Sequence, residues 1–118
     1  MHKLLLDIPP RLETERLIIR KFAEGDGAEL YSLLERNNNR DFLRANVEEV
    51  SSIRTEEEAE IRIRKHAAEW ITRDRFVMDI WLKSESKYVG EIWIELKNWE
   101  VPLFEIGWFL DQATNGGG

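Results

Sequence analysis

The feature that most constrains this chain is a change of hydrophobic period near Arg75. Upstream, "TEEEAEIRIRKHAAEWITRD" sets Ala59, Ile63, Ala67, Trp70 and Ile71 in one stripe at helical spacing. Thr55, with Glu58 three residues on, forms a capping box. Glu56, Glu57, Glu58 and Glu60 crowd the positive end of the helix dipole, and Arg73 lies near its negative end. Downstream, "RFVMDIWLK" and "YVGEIWIEL" alternate with a period of two across the linker "SESK". After "KNWEV" and Pro102, where a missing donor is tolerated, "LFEIGWFLD" alternates again. A helix from Thr55 to Asp74 followed by three consecutive strands most simply builds an antiparallel meander.

The N-terminal part completes the pattern. "IPP" (Ile8 to Pro10) is an extended lead-in, because proline disfavours helix in the residue before it. "RLETERLIIRKF" reads as one strand, with Leu17, Ile19 and Lys21 alternating against Ile18, Arg20 and Phe22, bounded by Gly25 and Gly27. Asp26 with Glu29 has the form of a second capping box, and Leu30, Leu33 and Leu34 share a helical face. This predicts a helix from Asp26 to Arg36, broken by Asn37 to Asn39, which favour turns. A short helical piece is expected over Asp41 to Ala45. The expected fold is α/β (α+β) in the order β–α–α–β–β–β, helices packed on the sheet, one domain over residues 1–118.

Composition excludes several functions. The 118 residues carry 23 acidic against 17 basic side chains, a net charge of −6. Wrapping a nucleic-acid backbone needs a dense cationic face, so no nucleic-acid partner is expected; a cationic substrate such as an amine would be mildly attracted. There is no cysteine, hence no disulfide framework, thiolate metal site or Cys nucleophile. "MHKLLLDIPP" is too short for a signal-peptide core or membrane span, which predicts no membrane partner and a cytoplasmic protein. His2 lies near a terminus and His66 borders the apolar helix stripe, so no metal site is predicted. The five tryptophans, including Trp70, Trp81 and Trp93, read as core, with Trp99 in a loop. Arg62 to Lys65 reads as a solvated helix face.

Three stretches carry a resemblance to the GNAT superfamily of acetyl-CoA-dependent N-acetyltransferases, nearest the ribosomal-protein N-terminal acetyltransferases. In "LETERLIIRKF", Thr14, Arg16, Leu17 and Arg20 match that branch's first-strand signature. "YVGEIWIEL", with Gly90, resembles its third strand, and "FEIGWFLDQATNGGG" its fourth strand and the start of the pyrophosphate loop. The resemblance implies acetyl-CoA as cosubstrate and a primary amine, on a protein N-terminus or a small molecule, as acceptor. It also implies that the cofactor's pantetheine arm docks along the backbone of Trp108, Phe109 and Leu110, as in β-augmentation. A backbone N–H there would hold the thioester oxyanion. Asn115, Gly116, Gly117 and Gly118 would present N–H groups to the pyrophosphate, where a side chain would block the approach. This loop departs from the family, which usually carries Arg or Gln where this chain has Asn115 (or Ala113, depending on alignment), and often a basic residue at Gly117.

Amine attack also needs a base. Glu105, two residues before Gly107, stands where some family members place a catalytic carboxylate. Alternation puts it on a face with Leu103 and Phe109, an apolar setting that would raise a carboxyl pKa; the alternative reading is a solvated edge carboxylate. Glu91 and Glu95, weaker candidates for the base, share one face of the preceding strand and read as an ordinary polar face.

The family domain continues past Gly118, so the 118-residue chain is expected to be truncated at its loop. Ordering a Gly-rich terminus costs roughly 1–2 kcal/mol per residue, and acetyl-CoA is then expected to bind weakly or not at all. The alternative is a non-catalytic interaction module. Phe104, Ile106 and Trp108 would line an exposed last strand that pairs with a partner or a second copy.

Overall fold

A computed structural model describes residues 5, 7–44, 47–98, 100 and 103–111. Five strands form one sheet in the order β1-β2-β3-β4-β5, every neighbouring pair antiparallel. The expected single first strand is two: β1 (Arg11–Glu13) and β2 (Leu17–Lys21). Thr14 closes the turn between them, its amide donating to Leu17 O at 2.9 Å and its Oγ1 accepting from the Leu17 amide at 2.9 Å. No Gly, Pro or Asn marks that turn, which is why alternation alone runs through it.

Helices α1 (Asp26–Leu34), α2 (Asn39–Arg44), α3 (Glu48–Ser51) and α4 (Glu56–Thr72) follow. Strands β3 (Phe76–Leu82), β4 (Lys87–Asn98) and β5 (Leu103–Leu110) then make the predicted meander. Leu30, Leu33 and Leu34 of α1 and Ala59 and Ile63 of α4 are buried with Val77, Tyr88 and Phe109 of the sheet. The α4 stripe stops short of its predicted end. His66 is buried edge-on to Phe22 and Trp70 packs edge-on to Phe76 of the sheet, while Ile71, one position on, is exposed. Trp81 and Trp93 pack against the core as expected. Trp108 does not; it lies on the β5 face turned away from the helices and is 64% exposed.

The caps differ from expectation at α1. Gly25, at φ 97°, precedes that helix, and the Asp26 carboxylate makes no cap. It accepts instead from the Ala23 amide at 2.8 Å and from two Arg20 nitrogens, each at 3.1 Å. The orphan donors of α1 are met from another helix: Glu60 of α4 accepts from Gly25 N at 3.0 Å and Gly27 N at 2.9 Å. A Cβ on Gly27 would lie 2.5 Å from Glu60 Cα, so glycine is what lets the helices approach. At α4, Thr55 Oγ1 accepts from Glu58 N at 3.0 Å, while the Glu58 carboxylate reaches back to Arg54 N.

Asn37 and Asn38, with φ of 55° and 58°, turn the chain out of α1. This corner is tied to the far end of β5. Asp111, fully buried, accepts from Arg36 Nε at 2.7 Å and Asn37 Nδ2 at 3.0 Å. Arg36 Nη2 also donates to Tyr88 O of β4 at 2.5 Å.

Candidate functional site

β5 is the last strand of the sheet, and among the described residues its outer backbone edge has no strand partner. Its register sets Glu105, Gly107 and Phe109 opposite Glu95, Trp93 and Glu91, on the helix side. Phe104, Ile106 and Trp108 face the other way, in rows with Leu96, Ile94 and Ile92. A Cβ on Gly107 would lie 2.3 Å from the Trp93 ring, so the glycine admits that indole across the strand. Gly90 has the same role for backbone: a Cβ there would meet Phe109 O at 2.1 Å.

Beside Trp93 opens a cleft of about 240 Å³, floored by Val77 and Trp93. Val47 and Glu49 at the start of α3, Arg62 of α4 and Arg75 wall it, and Glu105 stands at its β5 end. Of the two settings open to Glu105, the structure shows the solvated edge carboxylate and not the apolar one. Its side chain is 60% exposed and lies 3.4 Å from Lys97 Nζ, and Leu103 is exposed too. The reason is the register, which pairs Glu105 with Glu95 and draws Lys97 between them. Lys97 is raised first by its hydrogen bond to Glu95. Burial works to raise Glu95, but Lys97 and Arg75 outweigh it and hold that carboxylate low.

Behind the cleft wall lies a network that the sequence reading missed. Glu91 is fully buried, not part of a polar face. It accepts from Arg62 Nη1 at 2.5 Å, Arg62 Nη2 at 3.0 Å and Tyr88 Oη at 3.2 Å. Arg62 is correspondingly not solvated. Burial works against its charge, but Glu91 outweighs that and raises the guanidinium above the ordinary arginine range. Tyr88 is pushed well above the ordinary phenol range by burial and then by the Glu91 charge, so it stays a donor. The signal was available: Arg62 stands three residues after Ala59 and four before His66, on the inner flank of the stripe.

Of the predicted cofactor residues, Trp108, Phe109 and Leu110 form the C-terminal end of β5. Asn115, Gly116, Gly117 and Gly118 lie outside the described residues, as do His2 and Trp99. Among the described residues, no group of His, Asp and Glu side chains is placed to hold a metal ion. None of their helices is long and apolar enough to cross a membrane.

The fold and cleft define an α+β domain, helices packed on one face of an antiparallel sheet, with a cleft at its edge walled by both acidic and basic side chains. The family model of the acetyltransferase (GNAT) domain matches residues 16–118, and the chain belongs to that family. No curated protein matches the sequence. Among solved structures, the chain is similar to the microcin C7 self-immunity acetyltransferase MccE, in complex with acetyl-CoA and AMP. The TM-score is 0.80 at 16% identity, over 94% of this chain and 60% of that one. A candidate ribosomal-protein-serine acetyltransferase from Vibrio cholerae gives 0.76 at 16% identity, over 94% and 61%. The ribosomal-protein-S5-alanine acetyltransferase from Vibrio fischeri gives 0.73 at 19% identity, over 95% and 60%. The chain thus spans about three fifths of the length of the solved structures it matches.

Proposed function

We propose that the protein transfers the acetyl group of acetyl-CoA to a primary amine, on a protein N-terminus or a small molecule, in the cytoplasm. The observation that carries this reading is the coincidence, on β5, of a backbone edge at Trp108 to Leu110 with no strand partner among the described residues and a cleft presenting Glu105. Family membership supports it, and so does the acetyl-CoA held by MccE. The pantetheine arm would add to the free edge as a strand does, and a backbone N–H there would hold the thioester oxygen. The amine enters the cleft and its nitrogen attacks the thioester carbonyl carbon. Its proton passes to Glu105, directly or through water, and the C–S bond breaks to release the coenzyme thiolate.

Titrating acetyl-CoA into the protein while following backbone amides by NMR tests the binding half. Shifts concentrated at Trp108 to Leu110 are expected, at weak affinity; none up to millimolar ligand overturns the reading. For the chemical half, Glu105→Gln in the active enzyme should lower the rate roughly 10²–10⁴-fold with cofactor affinity little changed. An unaltered pH–rate profile excludes Glu105 as the base.

A second reading is a non-catalytic interaction module that pairs through β5, with itself or with a partner. It draws on Phe104, Ile106 and Trp108, which form an exposed apolar strip on the edge strand.

A further inference from the structure

We propose that Arg36 and Asn37 are positioning residues for acetyl-CoA, acting through Asp111 on the end of β5; this rests on the acetyl-CoA reading above. Asp111 directly follows Leu110, the last of the three residues whose backbone would meet the cofactor, and precedes the run "QATNGGG". An outer strand whose ladder is finished on one side only is prone to fray at its end. Here that end is held from several sides. The Asp111 amide donates to Val89 O at 2.6 Å, one step beyond the Gly90↔Leu110 pair. The two carboxylate oxygens are taken separately, Oδ2 by Arg36 Nε at 2.7 Å and Oδ1 by Asn37 Nδ2 at 3.0 Å. The same guanidinium donates to Tyr88 O at 2.5 Å, so one side chain spans β4 and the end of β5.

The arrangement is not a local one. Arg36 and Asn37 stand more than 70 positions from Asp111 in the chain, and β5 already has its pairing with β4. What the clamp adds is a fixed position for the Phe109 to Asp111 backbone relative to α1. Charge-assisted hydrogen bonds to a buried carboxylate are the strong kind. A docked cofactor needs that rigidity, because an oxyanion donor serves only within a few tenths of an ångström of its place. A displacement of about 1 Å at a positioning group can cost a hundredfold in rate.

The test compares acetyl-CoA affinity in four variants, by NMR titration, with melting temperature measured alongside. Arg36→Gln deletes the charge and should weaken acetyl-CoA roughly tenfold or more, the worth of one charged hydrogen bond. Asn37→Gly removes the amide while keeping a residue at ease with positive φ, and should weaken binding by a smaller factor. Arg36→Lys, which keeps the charge, should recover part of the loss. Ile63→Val is the control: it trims the α4 core and lowers the melting temperature without weakening acetyl-CoA. If wild type binds and Arg36→Gln and Asn37→Gly stay within about twofold of it, the positioning role is wrong and the acetyl-CoA reading stands. Loss of affinity in Ile63→Val equal to that in Arg36→Gln also overturns it, since the effect would then follow stability. No binding by wild type removes both.

Discussion

At the scale of single residues, the acidic side chains on the sheet divide by what meets them, and alternation alone does not show which. Asp79 of β3 is fully buried beside Asp26, with Arg20 Nη1 at 3.3 Å and Trp81 Nε1 at 3.3 Å on one oxygen. Burial, then the hydrogen bond and charge of Asp26, push its carboxyl up to about 10. The other oxygen meets no donor among the described residues, and a proton held there makes Asp26 its acceptor. Asp26 is itself held low: burial works to raise it, but Asp79, Arg20 and the Ala23 amide prevail. An unfolded aspartate titrates near ~3.9, so between about pH 4 and 10 the folded state binds one more proton at Asp79. This contribution is fully present below pH ~4 and is lost as pH rises toward 10. Asp79→Asn supplies a permanent N–H to Asp26. It is expected to raise stability at pH 8 by on the order of 1–3 kcal/mol, with no gain near pH 4. Denaturant titrations at pH 4, 6 and 8 measure this; an equal effect at all three pH values removes the shared-proton account. The sequence marks Asp79 and Glu91 as acidic positions in apolar strands, but their partners Arg20, Asp26 and Arg62 come from other elements.

At the scale of elements, long periodic segments are legible and short ones are not. Helix α4 and strands β3, β4 and β5 form where the change of period near Arg75 puts them, because each repeats its pattern over several residues. The β1–β2 turn at Thr14 and the four-residue α3 carry too few periodic positions to register. Glu60 shows a different limit. On its own helix it counts as a dipole-matching charge, yet its carboxylate serves the start of α1. Burial works to raise it, but the Gly25 amide, Arg64 and the Gly27 amide outweigh that and hold it low. Glu60→Ala is expected to cost roughly 1–2 kcal/mol, the range of a lost N-cap. Amide exchange should quicken first in the opening turn of α1. The wild type should lose the same protection as pH falls through the depressed Glu60 value, since the contribution belongs to the charged form. Equal protection of α1 in variant and wild type would exclude the cross-helix cap.

At the scale of the whole molecule, the family was legible because three motifs fall in the right order, all but the first residues of the first motif inside the matched span 16–118. The proposed base was less legible. Glu105 was placed on the correct face, but its setting depends on a cross-strand lysine that no pattern in β5 announces. The exposed strip of Phe104, Ile106 and Trp108 bears on assembly. Light scattering over a concentration series is expected to show species heavier than one chain, and Ile106→Lys should return them to monomer. A wild type that stays monomeric throughout would dismiss pairing through β5. The sheet order also has a consequence in time. β3, β4 and β5 are joined to one another by short connections, so their ladders close at small entropic cost. β2 is different: Lys21 must find Met78 across the whole run of four helices. The meander can therefore assemble early as a local unit. The N-terminal hairpin joins only once the intervening helices have gathered, and that long-range closure sets the pace at which the complete sheet appears.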